Sequence, residues 1–174
     1  MAKGRGTERR AELAALKRAL MLEMHGLRFY EIAAERTQSR AARALFEDLA
    51  EDEKKHKEEL ERHFRDLLQG KPISTPSKAP PKGLKFRDDV ISKELKAGLK
   101  DAWFESAALA IGVMLERRAI EYYQRRKEAS KDPAERELFS WLVEWEKGHL
   151  SRLMALERSM RDEIWHEARF WPLD

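Results

Sequence analysis

The sequence predicts an all-α protein: a four-helix bundle of two helical hairpins joined by a long crossover, with a short C-terminal helix. Three observations predict it. Only 8 glycines and 6 prolines occur in 174 residues, too few breakers for a many-turned β architecture. Apolar residues recur at alternating spacings of three and four along four long segments, the period of a helix with one buried stripe. Pro72, Pro76, Pro80 and Pro81 crowd into the middle of the chain, splitting these segments two and two.

The first helix is expected from about Thr7 to Thr37, with its seam at Leu13, Leu16, Leu20, Glu23, Leu27, Tyr30 and Ala34. Ser39 is placed to cap the second, whose seam is Leu45, Leu49, Glu53, His56, Leu60 and Leu67 and which Gly70 stops. The proline-rich stretch reads as an extended connection, with a short amphipathic helix at about Asp88–Leu99. The third helix runs from near Ala102 to near Ser130. Asp132 then serves as cap and Pro133 as first residue of the fourth, whose stripe is Leu138, Leu142, Glu146, His149, Leu153, Leu156 and Met160. The expected organisation is a disordered basic lead (1–8), the bundle (9–160) and a C-terminal helix or tail (161–174). Within the bundle, hairpins 9–69 and 102–160 flank crossover 70–101.

Composition narrows the function. Lys and Arg total 35 against 32 Asp and Glu, a net charge of +3 with the signs interspersed, so nucleic acid is not an expected partner. There is no cysteine, which excludes disulfides, thiolate metal sites and cysteine nucleophiles. The longest apolar run, Ala107 to Leu115, is far short of a membrane span, so no membrane is expected. Residues 1–6 lack the apolar core of a secretory signal, and the expected location is the cytoplasm.

Sliding the chain against itself by 93 residues aligns Glu23 with Glu116, Tyr30 with Tyr123, Glu53 with Glu146 and His56 with His149. Thirteen of the 38 positions from 23 to 60 are identical to their mates without a gap. In each hairpin the two glutamates lie about 15 residues from the bend, or ~22 Å along the helix, so they face one another at one height. Glu53 and His56, like Glu146 and His149, stand three apart and project from one helix face. An apolar seam therefore carries four carboxylates and two imidazoles at one level. Four buried carboxylates repel unless protonated, paired with cations or metal-bound. No Lys or Arg shares the seam at this level, and two divalent cations would neutralise the four charges. Oxygen donors with two histidines suit iron or manganese; iron is the expectation, manganese the alternative.

These residues resemble the ferritin-like superfamily, and within it the rubrerythrin-type diiron domain, over about residues 9–69 and 102–160. The resemblance implies that Glu23 and Glu116 are carboxylate ligands of helices one and three. It also implies that Glu53 and Glu146 bridge the metals and that His56 and His149 are terminal nitrogen ligands. The string Asp52-Glu53-x-x-His56 is similar to that of bacterioferritins, where the Asp supports a ligand histidine; Trp145 takes its place in the second half. Rubrerythrins usually carry one more glutamate a turn after the third-helix ligand, and here Ala119 and its mate Gly26 stand instead. Without cysteine the chain lacks a rubredoxin site as electron donor.

The expected function is a dinuclear iron oxidoreductase reacting with peroxide or dioxygen, in a peroxidase or ferroxidase manner, with electrons from an external donor or from iron itself. The alternative is a non-catalytic iron buffer, carrier or sensor. Tyr30 and Tyr123 are the catalytic candidates, as hydrogen-bond donors to ligand carboxylates or as one-electron relays; the other reading makes them core tyrosines. A homodimer is expected because Trp103, Phe104, Trp141 and Trp145 exceed what one small bundle needs to fill its core.

Overall fold

The computed structural model describes the backbone of residues 2–76 and 102–167 and the side chains of 6–76 and 103–162. Four helices make up the bundle: α1 (Ala2–Arg36), α2 (Arg40–Leu68), α3 (Ala102–Ala129) and α4 (Pro133–Glu167). α1 packs along α2 and α3 along α4, and the hairpins join through α1 on α3 and α2 on α4. The crossover between 77 and 101, with its expected short helix, and residues 168–174 lie outside the described residues. Among those described, no helix is long and apolar enough to cross a membrane.

The helix ends follow local chemistry. The Ser39 hydroxyl accepts from the Ala42 amide at 3.2 Å, and an Asp132 carboxylate oxygen accepts from the Ala134 amide at 2.9 Å. α2 ends in a Schellman motif: the Gly70 amide donates to Leu67 and the Lys71 amide to Asp66. Gly70 has φ +90°, a backbone open to glycine at little steric cost. Both outer termini run further than the sequence suggested. Residues 2–8, expected to be disordered, are the first turns of α1, which its packed seam propagates outward at one hydrogen bond per residue. The Arg9 guanidinium donates to the Leu67 carbonyl and ties this end to α2. α4 continues unbroken past Met160 to Glu167, so no separate C-terminal helix occurs up to that point.

The apolar core falls into two clusters on either side of a polar level. One gathers Tyr30, Leu45, Phe46, Leu49 and Leu153; the other gathers their repeat mates Tyr123, Leu138, Phe139, Leu142 and Leu60. Tyr30 stacks on Phe46 with ring centroids 6.2 Å apart, and Tyr123 on Phe139 at 5.9 Å. The duplication is thus a duplication of packing, and it forces the polar level to the middle of the bundle.

Candidate metal centre

α1 brings Glu23 to this level, α2 Glu53 and His56, α3 Glu116, and α4 Glu146 and His149. All six are buried, none more than 4% exposed. They form two overlapping groups whose ligand atoms lie within 4.8 Å of one another: Glu23, Glu53, His56 and Glu146, then Glu53, Glu116, Glu146 and His149. Glu53 and Glu146 belong to both. His56 Nδ1 is 2.9 Å from a Glu23 oxygen and 3.3 Å from Glu146; His149 Nδ1 is 3.2 Å from the other Glu146 oxygen and 3.6 Å from Glu116. Both imidazoles therefore aim Nδ1 at the carboxylates.

The tyrosines sit on this level too, and they cross between halves. Tyr30 of α1 donates its hydroxyl to Glu116 of α3, and Tyr123 of α3 donates to Glu23 of α1. Burial and the neighbouring carboxylates, Glu116 beside Tyr30 and Glu23 beside Tyr123, raise both phenols well above their usual range, so both remain donors.

Electrostatics describe a cluster short of positive charge. Burial, with repulsion from Glu23, Glu146 and Glu116, pushes Glu53 far above the carboxylate range. Burial and Glu146 raise Glu116 to about 8. For Glu146 burial acts upward, but the His149 charge, with Glu116 and the His56 ring close by, holds it well below. Burial acts to lower His56, yet the adjacent Glu146 and Glu23 carboxylates lift it to about 9; His149 rises likewise through Glu146 and Glu116. Protons fill the role that cations would fill better. Both Glu146 oxygens and His149 Nδ1 are buried without a hydrogen-bond partner, at the centre of the donor set.

The rubrerythrin family model matches residues 14–157 of the chain. The chain belongs to the rubrerythrin family. No curated protein and no solved structure gives a significant match.

The donor set fits the metal pair of this ferritin-like diiron family. Four carboxylates balance two divalent cations, and two neutral imidazoles add one nitrogen to each group of four. The backbone makes room as well: a Cβ on Gly26 would come within 2.7 Å of a Glu53 oxygen, so only glycine leaves that carboxylate where it stands. In this rubrerythrin-family chain the turn after each α1 and α3 carboxylate is kept small, by Gly26 and Ala119. A cleft of about 150 Å³ between α1 and α3 reaches Glu53 and Glu116 there.

Behind the histidines the two halves differ. On one side Asp52 Oδ2 lies 3.6 Å from His149 Nε2 and accepts from the Arg152 guanidinium at 2.8 Å. On the other, Trp145, the mate of Asp52, meets the His56 ring edge-on with centroids 4.9 Å apart, and Trp141 does so at 5.3 Å. Neither His56 Nε2 nor His149 Nε2 has a hydrogen-bond partner; what differs is that the Asp52 carboxylate charge stands behind His149 and tryptophan edges behind His56. Sequence reasoning missed Arg152, a buried cation, though its spacing of three from His149 carries the signal. It assigned Trp141 and Trp145 to an outer face, and they line the core; Trp103, at 90% exposure, remains outside. His63 is fully buried beside Glu59 at 3.2 Å, and His25 is exposed.

Proposed function

We propose that this rubrerythrin-family chain binds two iron ions and reacts with peroxide or dioxygen at the buried cluster. One observation carries the reading: two four-residue donor groups share Glu53 and Glu146 and leave the oxygens of Glu146 without hydrogen-bond partners. In this reading Glu23 and His56 would hold one ion and Glu116 and His149 the other, with Glu53 and Glu146 available to both. Two ferrous ions bound there would supply one electron each, enough with two protons to cleave hydrogen peroxide to two waters, and an external donor would restore them.

The chain's own residues supply the rest. Tyr123 and Tyr30 each hold one oxygen of Glu23 and Glu116, and the second Glu23 oxygen faces His56 Nδ1 at 2.9 Å. Their hydroxyl hydrogens are the nearest exchangeable protons to those carboxylates, and both phenols stay protonated at neutral pH. The flanking apolar clusters exclude bulk water, which strengthens every charge interaction inside.

The test is anaerobic loading with Fe(II) to saturation, metal analysis, and stopped-flow mixing with hydrogen peroxide or dioxygen. We expect two ions per chain and oxidation faster than that of free Fe(II). Reversible binding without accelerated oxidation would turn the assignment to a buffer, carrier or sensor. Preferential retention of manganese would move the metal assignment. Glu53→Gln and Glu146→Gln are expected to abolish loading of both ions, because each touches both groups.

A further inference from the structure

We infer that the cleft between α1 and α3 is the passage by which the oxidant reaches the carboxylates, and that it admits a small uncharged or anionic molecule, hydrogen peroxide or its anion, in preference to a cation. This deepens the proposed function and rests on it.

Size is the first argument. At about 150 Å³ the cleft holds a few molecules the size of water or peroxide, and pockets for organic ligands run to roughly 300 Å³ and more. Its floor carries Glu23, Glu53, Glu116 and Glu146, and between floor and surface stand the two smallest side chains of that turn, Gly26 and Ala119. Since a Cβ on Gly26 would already press on Glu53, the space over these two positions is the opening.

Charge is the second. The exposed residues around the cleft are Arg18, Met21, His25 and Arg118, with no carboxylate among them. Neither arginine makes an ion pair among the described residues. Four carboxylates and two dications sum to zero, so a loaded floor is neutral beneath a rim of two positive charges. Above that neutral floor a further Fe²⁺ meets net repulsion from the rim, and an anion meets attraction. The arrangement favours turnover of peroxide over repeated passage of iron.

The passage can be read without turnover, using azide as a small anionic probe titrated optically into the diferric protein. Ala119→Leu adds bulk above the floor at a position that is not itself a ligand. Met21→Trp plugs the rim at a half-exposed position that folding tolerates. Both are expected to retain two ions per chain, to slow azide binding, followed by stopped flow, at least tenfold and to slow the peroxide reaction by a similar factor. The Arg18→Glu/Arg118→Glu double variant is expected to weaken azide about tenfold at low salt, less at high salt, with peroxide little changed. For the unaltered protein, tert-butyl hydroperoxide is expected to react at least tenfold more slowly than hydrogen peroxide. Unchanged azide association rates in Ala119→Leu and Met21→Trp overturn the passage; unchanged affinity in the double variant overturns the charge selection; equal hydroperoxide rates overturn the size limit. A protein that loads two ions and binds azide but ignores peroxide would count against the proposed function and leave the passage standing.

Discussion

Tyr123 of α3 donates its hydroxyl to Glu23 of α1, across the bundle and between the two halves of the sequence repeat. Tyr30 and Glu116 make the reciprocal bond. Tyr123→Phe removes the donor and leaves a buried carboxylate oxygen unsatisfied, which costs about 1–3 kcal/mol. Urea unfolding of the metal-free protein measures this. Tyr122→Phe is the control: its hydroxyl donates to the Ala15 carbonyl at 2.9 Å in a part-exposed position, and a loss near or below ~1 kcal/mol is expected. Equal losses would mean that the Tyr123 bond carries nothing special.

The metal-free protein is expected to lose stability as pH rises. Glu116, ordinarily at 4.5, stands at about 8 in the folded chain, and His56, ordinarily at 6.5, at about 9. Both are raised, so the stability they contribute is complete below the ordinary value and is lost as pH climbs through the folded one. Glu146, held low, contributes unchanged across this range. Metal ions must displace the protons on Glu116 and His56, so they bind more tightly at higher pH. Thermal melts from pH 6.5 to 9, with and without Mn(II), should show a falling metal-free Tm and a widening gain on adding metal. A flat metal-free curve contradicts this.

Asp52→Asn is expected to weaken one ion more than the other. Asp52 faces Nε2 of His149, and His56 has only tryptophan edges there. Losing such a partner typically costs 10–100-fold in metal affinity. Anaerobic Co(II) titration should turn near-equal binding into two steps, with the weakened one removed by His149→Ala. Equal weakening of both ions contradicts the placement.

Much of this was legible in the sequence because the signals are local and repeated. The seams, the caps Ser39 and Asp132, and the common height of Glu23, Glu53, Glu116 and Glu146 follow from helical periodicity and turn chemistry alone. What periodicity cannot show is which half a side chain reaches. The tyrosines were expected to meet ligand carboxylates, yet that each meets the opposite half's depends on how the hairpins pack. Trp141 and Trp145 read as surplus aromatics, because nothing in one helix reveals that the facing helix offers a histidine edge. The start of α1 was missed because Gly4 and Gly6 lower intrinsic helicity, and propagation from a packed seam overrides such weak preferences.

Gly26→Ala should separate folding from metal binding. Alanine favours a helix over glycine by up to about 1 kcal/mol, so the metal-free protein should unfold within ~1 kcal/mol of the unaltered chain. The added Cβ displaces Glu53, which belongs to both donor groups, and affinity for both ions should fall. Calorimetric titration with Mn(II) beside urea unfolding reads the two effects, and unaltered affinity would show that Glu53 moves aside freely.

The Asp52–Arg152 pair bears on the history of the chain. Position 152 mates with Glu59, so two copies of the first hairpin, closed on one another as a symmetric pair, would set Asp52 against Glu59 and repel. Two copies of the second would set Trp145 against Arg152, with no acid to neutralise it. The Asp52–Arg152 contact therefore favours joining two unlike hairpins over joining either one to its own copy.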